Sequence, residues 1–387
     1  MNRRTIVISA IIIFLLAARV LLYLIFPAPQ KPGEKNTFFG ELPTLGGKTV
    51  PVRSGGGTTA PAGEAREAHQ ILQVVNKEIL APVLSADEKS LLYVLRENGR
   101  VFASDLGGDN EKRLTTLTVI GAFGGLWSPK KDRLILSYYE NGAVKNFLNG
   151  VATGTPSRFL PPEVTSFDWA PDGLSIAYLS RQGNGTSLVI ADAGGRSPRS
   201  VYATPIPDFT VRWIGRNTIL LISRPSGFAP SVVARFDTGG RQSDLVLSGL
   251  NGAVLVASPD GNALLLSQSS TGGDAEKLSL YDIRKSKTTP LNVLTIAEKC
   301  VFSGDGKKIY CGVPKGAISA PSPDEWYKGA DSFSDRVVEI DAVTGETKTL
   351  MENETDVDVI SPFVSKDGKY LFFQDKKTSA LWRLTLR

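Results

Sequence analysis

The sequence predicts an all-β chain: a seven-bladed β-propeller of four-stranded antiparallel blades, preceded by one amino-terminal transmembrane helix and a flexible linker. Three observations predict it. A short turn phrase recurs seven times, its second position falling at residues 85, 128, 170, 214, 258, 303 and 365. A polar residue follows the first five of these anchors at a spacing of 20 to 24 residues. Residues 5–26 form an almost unbroken apolar run.

The repeat fixes the architecture. The steps between anchors are 43, 42, 44, 44, 45 and 62 residues. A fixed period of this size, flanked by β-prone residues, is the sequence mark of propeller blades. The third copy shows the unit. Val164-Thr165-Ser166-Phe167-Asp168-Trp169 alternates as a strand does. Pro171-Asp172-Gly173 is a tight turn, in which Pro presets φ, Asp binds its own backbone and Gly accepts positive φ. Ser175 to Ser180, Ser187 to Asp192 and Arg199 to Ala203 supply three further strands.

The polar residues Asp105, Asn149, Asp192, Asp237, Asp282 and Asp341 end the third strand of successive blades. The last follows its anchor by 38 residues, which places an insertion at about 314–334 in the sixth blade. The seventh blade, 360–386, lacks a fourth strand, whereas residues 70–76 are a spare strand ahead of the first anchor. Pairing the two closes the ring and removes two exposed sheet edges. The propeller thus spans 70–387, with 70–76 as its closing strand.

Trp169-Ala170-Pro171-Asp172-Gly173 and Ala257-Ser258-Pro259-Asp260-Gly261 carry a Ser-Pro-Asp-Gly type of turn between the first two blade strands. In this the chain resembles the WD40-like repeats of TolB-type bacterial propellers, over about residues 70 to 387. The resemblance implies the fold and leaves the function open, because propellers host binding, scaffolding and catalysis alike.

Residues 5–26 are long enough to span a hydrocarbon core of about 30 Å at about 1.5 Å per helical residue. Arg3 and Arg4 precede them, so residues 1–4 are expected in the cytoplasm and the propeller outside it. A cleaved signal peptide is the competing reading. Arg19 lies near the outer end of the span, where it can snorkel to the interface. Residues 27–69 are rich in Pro, Gly, Thr and Ala and read as a tether. The stretch 38–43, with Phe38, Phe39, Glu41 and Leu42, interrupts it, and its aromatics can serve as a docking peptide or equally pack on the propeller side. The expected location is the cell membrane, as a single-pass protein held by residues 5–26.

Composition narrows the chemistry. Lys and Arg number 44 against 39 Asp and Glu, a net charge of +5, with the signs mixed along the propeller. No basic run with interleaved aromatics appears, so a nucleic-acid partner is not expected. The one histidine, His69, lies at the end of the tether, so no histidine triad or histidine-rich metal site can form in the propeller. No nucleotide-binding fingerprint or nucleophile elbow is present. No catalytic, cofactor-binding or metal-ligating residue is assigned. The turn carboxylates Asp172, Asp260, Asp305 and Asp367 have a sufficient structural reason, and the column Trp127, Trp169 and Trp213 is expected to pack between blades.

Cys300 and Cys311 flank the turn at Gly304-Asp305-Gly306 at about equal distance. Outside the cytoplasm they can form a disulfide; the alternative is two buried thiols. The loops joining second to third strands share one face, which displays Tyr139, Arg224, Phe228 and, in the insertion, Glu325, Trp326 and Tyr327. Trp and Tyr flanked by charge are typical interface anchors; the alternative is that the insertion folds onto its own blade and buries Trp326. The expected function is a membrane-anchored scaffold binding a protein, a peptide or an envelope component. The alternative is a carboxylate-dependent hydrolase or lyase acting on envelope polysaccharide or peptide.

Overall fold

The computed structural model describes residues 69–151, 154–206, 208–352 and 355–387. The segment 5–26, the tether as far as residue 68 and the island 38–43 lie outside the described residues. No helix among the described residues is long and apolar enough to cross a membrane.

Apart from the copy at Ile214, the turn phrases form because their side chains close on their own turn. Ser258 Oγ donates to Asp260 Oδ1 at 2.6 Å, and the same carboxylate oxygen accepts the Asn262 N–H at 3.1 Å. The serine–aspartate bond recurs at Ser85–Asp87, Ser303–Asp305 and Ser365–Asp367. Gly261 carries a φ of +68°, and a Cβ there would lie 2.2 Å from the Ile214 carbonyl of the preceding repeat, so both the turn and the close approach require glycine. The second polar column works the same way. Asp105, Asp192, Asp237, Asp282 and Asp341 each accept the N–H two residues on.

The strands between these turns assemble into six antiparallel sheets, five of four strands and one of seven, an arrangement consistent with a β-propeller. The seven-stranded sheet contains two runs of four that share the long strand Gln242–Ala257. Its first part pairs with Pro230–Phe236 and its last part with Ala263–Ser269. The sequence reading expected separate sheets here. No proline interrupts residues 242–257, and Gly249 and Gly252, both at positive φ, bend the strand without breaking it.

Successive sheets are joined edge to edge through their first strands. Trp127 Nε1 donates to the Ala81 carbonyl at 2.8 Å, and Trp169 Nε1 to that of Leu126 at 3.2 Å. Asp168 Oδ2 accepts the Trp213 N–H at 2.8 Å. These bonds span 43 to 46 residues, one repeat each. Apolar residues fill the space between neighbouring sheets; one cluster packs Leu179 and Leu188 against Val211, Trp213 and Phe236. The tryptophan column therefore packs between sheets, as expected.

The ends meet as the sequence predicted. Ile71–Val75 pairs antiparallel with Leu381–Thr385, Ile71 opposite Leu384, and forms the fourth strand of the sheet that also holds Val359–Val364 and Tyr370–Asp375. Val359–Val364 in turn touches Ile79–Leu84, the first strand of the first repeat. His69 adds a contact from its Nδ1 to the Thr385 carbonyl, 2.9 Å away.

Candidate functional site

The insertion decides the shape of the loop face. It runs between strands Lys308–Pro314 and Asp335–Asp341 and contains the short helix Asp324–Lys328, ended by Gly329 in the left-handed conformation. One side of it is tied to the seven-stranded sheet: Asp324 accepts the Gly227 N–H at 2.6 Å, and the Ser322 N–H donates to Gly273 at 2.8 Å. The other side is tied to a buried ion cluster. Lys299 Nζ lies 2.8 Å from Asp335 Oδ2 and also meets Asp358, all three side chains being fully buried. Trp326 Nε1 and the Phe333 N–H both donate to Asp358. Lys299 also stands 5.3 Å from the centre of the Trp326 ring, within cation–π range.

Trp326 is accordingly 4% exposed. This corrects the expectation of a surface anchor at this position. Its indole is the hinge pin of the insertion, held by Lys299, Asp358 and Lys376, and it is not free for a partner. Glu325 is likewise engaged, accepting from Lys328 at 2.8 Å within the same helix.

Tyr327, one residue on, packs its ring 5.3 Å from that of Trp326 and is 44% exposed. It stands in a concavity of about 550 Å³ whose walls come from several sheets: Arg212 and Leu255, Glu298 and Cys300, Ile360 and Lys376. A second hollow of about 440 Å³ adjoins it and shares Arg212, Ile222, Leu255, Glu298 and Tyr327 with the first. Arg224 lines this second hollow and also a third of about 670 Å³, where Tyr139 and Phe123 meet as a tilted pair at 4.7 Å between ring centres. The structure thus brings together three of the sequence-predicted residues, Tyr327, Arg224 and Tyr139, along one run of hollows. Phe228 is 64% exposed and stands over Gly273, outside all three.

The electrostatics of the concavity are those of a lined cup. Burial pushes the Tyr327 phenol well above its ordinary range, and the negative charge of Glu298 beside its hydroxyl adds to this. Burial lowers Lys376, whose Nζ donates to the carbonyls of Trp326 and Asp331. Asp168 is raised by burial, with Arg212 opposing. Its carboxylate is occupied by the N–H groups of Trp169 and Trp213, both at 2.8 Å. Two nearby carboxylates are therefore engaged, Asp324 by Gly227 and Asp168 by two main-chain groups, and Glu298 stands beside the Tyr327 hydroxyl. Among the described residues no group of three or more His, Cys, Asp or Glu is placed to hold a metal ion.

Cys300 forms part of the wall. It lies directly opposite Cys311 in the strand register and the two are joined as a disulfide. Arg212, Leu255 and Glu298 were not singled out from the sequence. Arg212 immediately precedes the Trp213 column, and strand alternation puts it on the side opposite the packed indole, a signal that was available.

No family model matches the chain, and no curated protein sequence matches it. Solved structures do. An oligogalacturonate lyase in complex with manganese is similar at a TM-score of 0.59, with 15% identity over 84% of this chain and 94% of that one. The oligogalacturonate lyase of Vibrio parahaemolyticus is similar at 0.58, with 12% identity over 84% and 95%. TolB from Acinetobacter baumannii gives 0.38, with 15% identity over 79% of this chain and 62% of that one. At these identities the lyase likeness shows a shared β-propeller fold and nothing of activity.

Proposed function

We propose that this chain is a seven-bladed propeller that works as a binding module, held at the outer side of a membrane by residues 5–26, and that its ligand seats in the loop-face concavity beside Tyr327. One observation carries this reading: the two hollows at Tyr327 have a largely aliphatic floor, with Ile222 and Leu255 common to both, and of their carboxylates Asp324 is already engaged and Glu298 stands beside the Tyr327 hydroxyl. A floor of this kind gains by covering apolar ligand surface. Two-carboxylate hydrolysis needs an acid and a base free to act on opposite sides of a bond, so the hydrolase alternative has less support. The Cys300–Cys311 disulfide supports an oxidising compartment, in agreement with the apolar run at residues 5–26.

The test is an in-cell crosslinking pull-down of the full-length protein beside a variant carrying Leu255→Arg and Tyr327→Ala, with thermal melting as the control for folding. A defined partner lost in the folded variant supports the reading. A partner retained by the variant moves the site away from the concavity. If no specific partner is captured and polysaccharide or peptide is turned over, the enzyme alternative replaces it.

A further inference from the structure

We infer that the concavity takes an acidic peptide segment that also carries apolar side chains, docked in extended form from the Tyr327 hollow toward Tyr139; this rests on the binding reading above. Two of the charged side chains lining the two hollows at Tyr327, both arginines, have no carboxylate partner.

Lys328 is paired with Glu325, and Lys376 donates to two carbonyls. Asp324 is engaged by Gly227, and Glu298 stands beside the Tyr327 hydroxyl. Two guanidinium groups remain. Arg212 donates only to the carbonyl of Val211, at 3.1 Å, and has no carboxylate within ion-pair distance; Asp168 and Glu298 face it only as neighbouring charges. Arg224 has no side-chain partner among the described residues. Both are exposed. Guanidinium groups without carboxylate partners, set in a concave wall, select carboxylate-bearing ligands through paired, charge-assisted hydrogen bonds.

The floor decides the rest of the ligand. Ile214, Leu220, Ile222 and Leu255 present aliphatic surface to the first hollow. A sugar ring seated on that aliphatic floor would replace only part of its hydrogen bonds to water, whereas a leucine or phenylalanine side chain gains about 2 kcal/mol by burial. The spacing decides its form. Arg212 belongs to the first two hollows and Arg224 to the second and third, so the two cations stand at the joints of a row of hollows. A chain with side chains at regular intervals fits such a row; a single anionic headgroup occupies one joint only. The paired rings of Phe123 and Tyr139 give the far hollow an aromatic wall for a further side chain.

The test uses the full-length chain in lipid nanodiscs and three fluorescein-labelled octapeptides: alternating leucine and glutamate, alternating leucine and lysine, and alternating serine and glutamate. Fluorescence anisotropy is expected to show the leucine–glutamate peptide binding at least about tenfold more tightly than either control. Replacing Arg212 and Arg224 together by glutamine is expected to reduce that affinity to the level of the leucine–lysine peptide, with an unchanged melting temperature. Equal binding of all three peptides, no binding of the leucine–glutamate peptide, or indifference to the double substitution overturns the inference. So does preferential binding of an acidic oligosaccharide or of anionic lipid vesicles. A cellular partner that depends on Tyr327 but contacts the cup through a neutral or basic segment overturns it too, while leaving the binding module intact.

Discussion

Lys299 Nζ lies 2.8 Å from Asp335 Oδ2 in a place where neither side chain is exposed to water. Lys299 sits just ahead of strand Cys300–Phe302, Asp335 opens the strand that follows the insertion, and Asp358, the third member, precedes Val359–Val364 in the next sheet. The cluster joins two sheets and holds the insertion against both. Removing one partner of a buried ion cluster leaves an uncompensated charge and costs about 3–5 kcal/mol. Lys299→Met is therefore expected to lower the unfolding free energy by that amount, read as a fall in the urea midpoint at unchanged slope, and to change the Trp326 fluorescence. An unchanged midpoint would mean that the cluster does not hold the insertion.

The tryptophan column offers an internal comparison. Trp127 donates from Nε1 to the next sheet, whereas Trp213 Nε1 is buried without a partner. Trp127→Phe is expected to cost about 1 kcal/mol more than Trp213→Phe, since only the first loses a hydrogen bond. Chemical denaturation of the two variants measures the difference; equal costs would show that the indole bonds contribute nothing to sheet-to-sheet adhesion.

Ring closure can be tested at Gly108. Its φ is +92°, and a Cβ there would fall 1.6 Å from the Val74 carbonyl in the closing strand. Gly108→Ala is expected to destabilise by at least about 2 kcal/mol and to raise amide exchange in 71–75 and 381–385 before the rest of the chain. Exchange that rises uniformly would show that the closing strand is not the seam.

The turn carboxylates predict a pH dependence. The hydrogen bond from Ser303 holds Asp305 below its ordinary value, and the bonds from Ser85 and Ser365 do the same for Asp87 and Asp367. A lowered folded value means that these groups stabilise the fold above the unfolded value of about 3.9 and lose that contribution as pH falls through the folded one. Asp335, raised chiefly by burial, acts in the opposite sense: its contribution declines as pH rises above the unfolded value. Carboxyl carbon NMR should show Asp305 titrating low in the native chain and returning upward in Ser303→Ala. No movement would sever the link between the serine and the carboxylate.

Reduction of Cys300–Cys311 opens a loop with a sequence separation of 11 residues, for which chain entropy gives about 2–3 kcal/mol. Because Cys300 is in the wall of the Tyr327 concavity, a Cys300→Ser, Cys311→Ser variant is expected to melt earlier and to bind the cup's ligand more weakly. Binding unchanged alongside a lower melting point would show that the wall keeps its shape without the bond.

The repeated features of this fold were legible because local chemistry writes them. Ser258-Pro259-Asp260-Gly261 makes its turn from its own side chains, so its spacing carries the repeat period and the strand order within each repeat, and the 38-residue offset of Asp341 revealed the insertion. The strand Gln242–Ala257 was not legible as one element, since its two halves belong to different pairings and only Gly249 and Gly252 mark the joint. The burial of Trp326 was not legible either. Its partners Lys299 and Asp358 are 27 and 32 residues away in sequence and meet it only once two sheets stand side by side. Arg212 was within reach, by alternation from Trp213, but nothing local marks it as a residue without a carboxylate partner.

The most direct measurement places a photo-reactive phenylalanine analogue at position 327 and, separately, at position 174, in full-length protein in living cells. Leu174 is 59% exposed in the turn after the first strand of its sheet, at the end of the molecule opposite the loop face. Light is expected to produce a discrete adduct from position 327, lost with Leu255→Arg, and none from position 174. A discrete adduct from position 174 alone would place binding on the other face and leave the cup without a ligand.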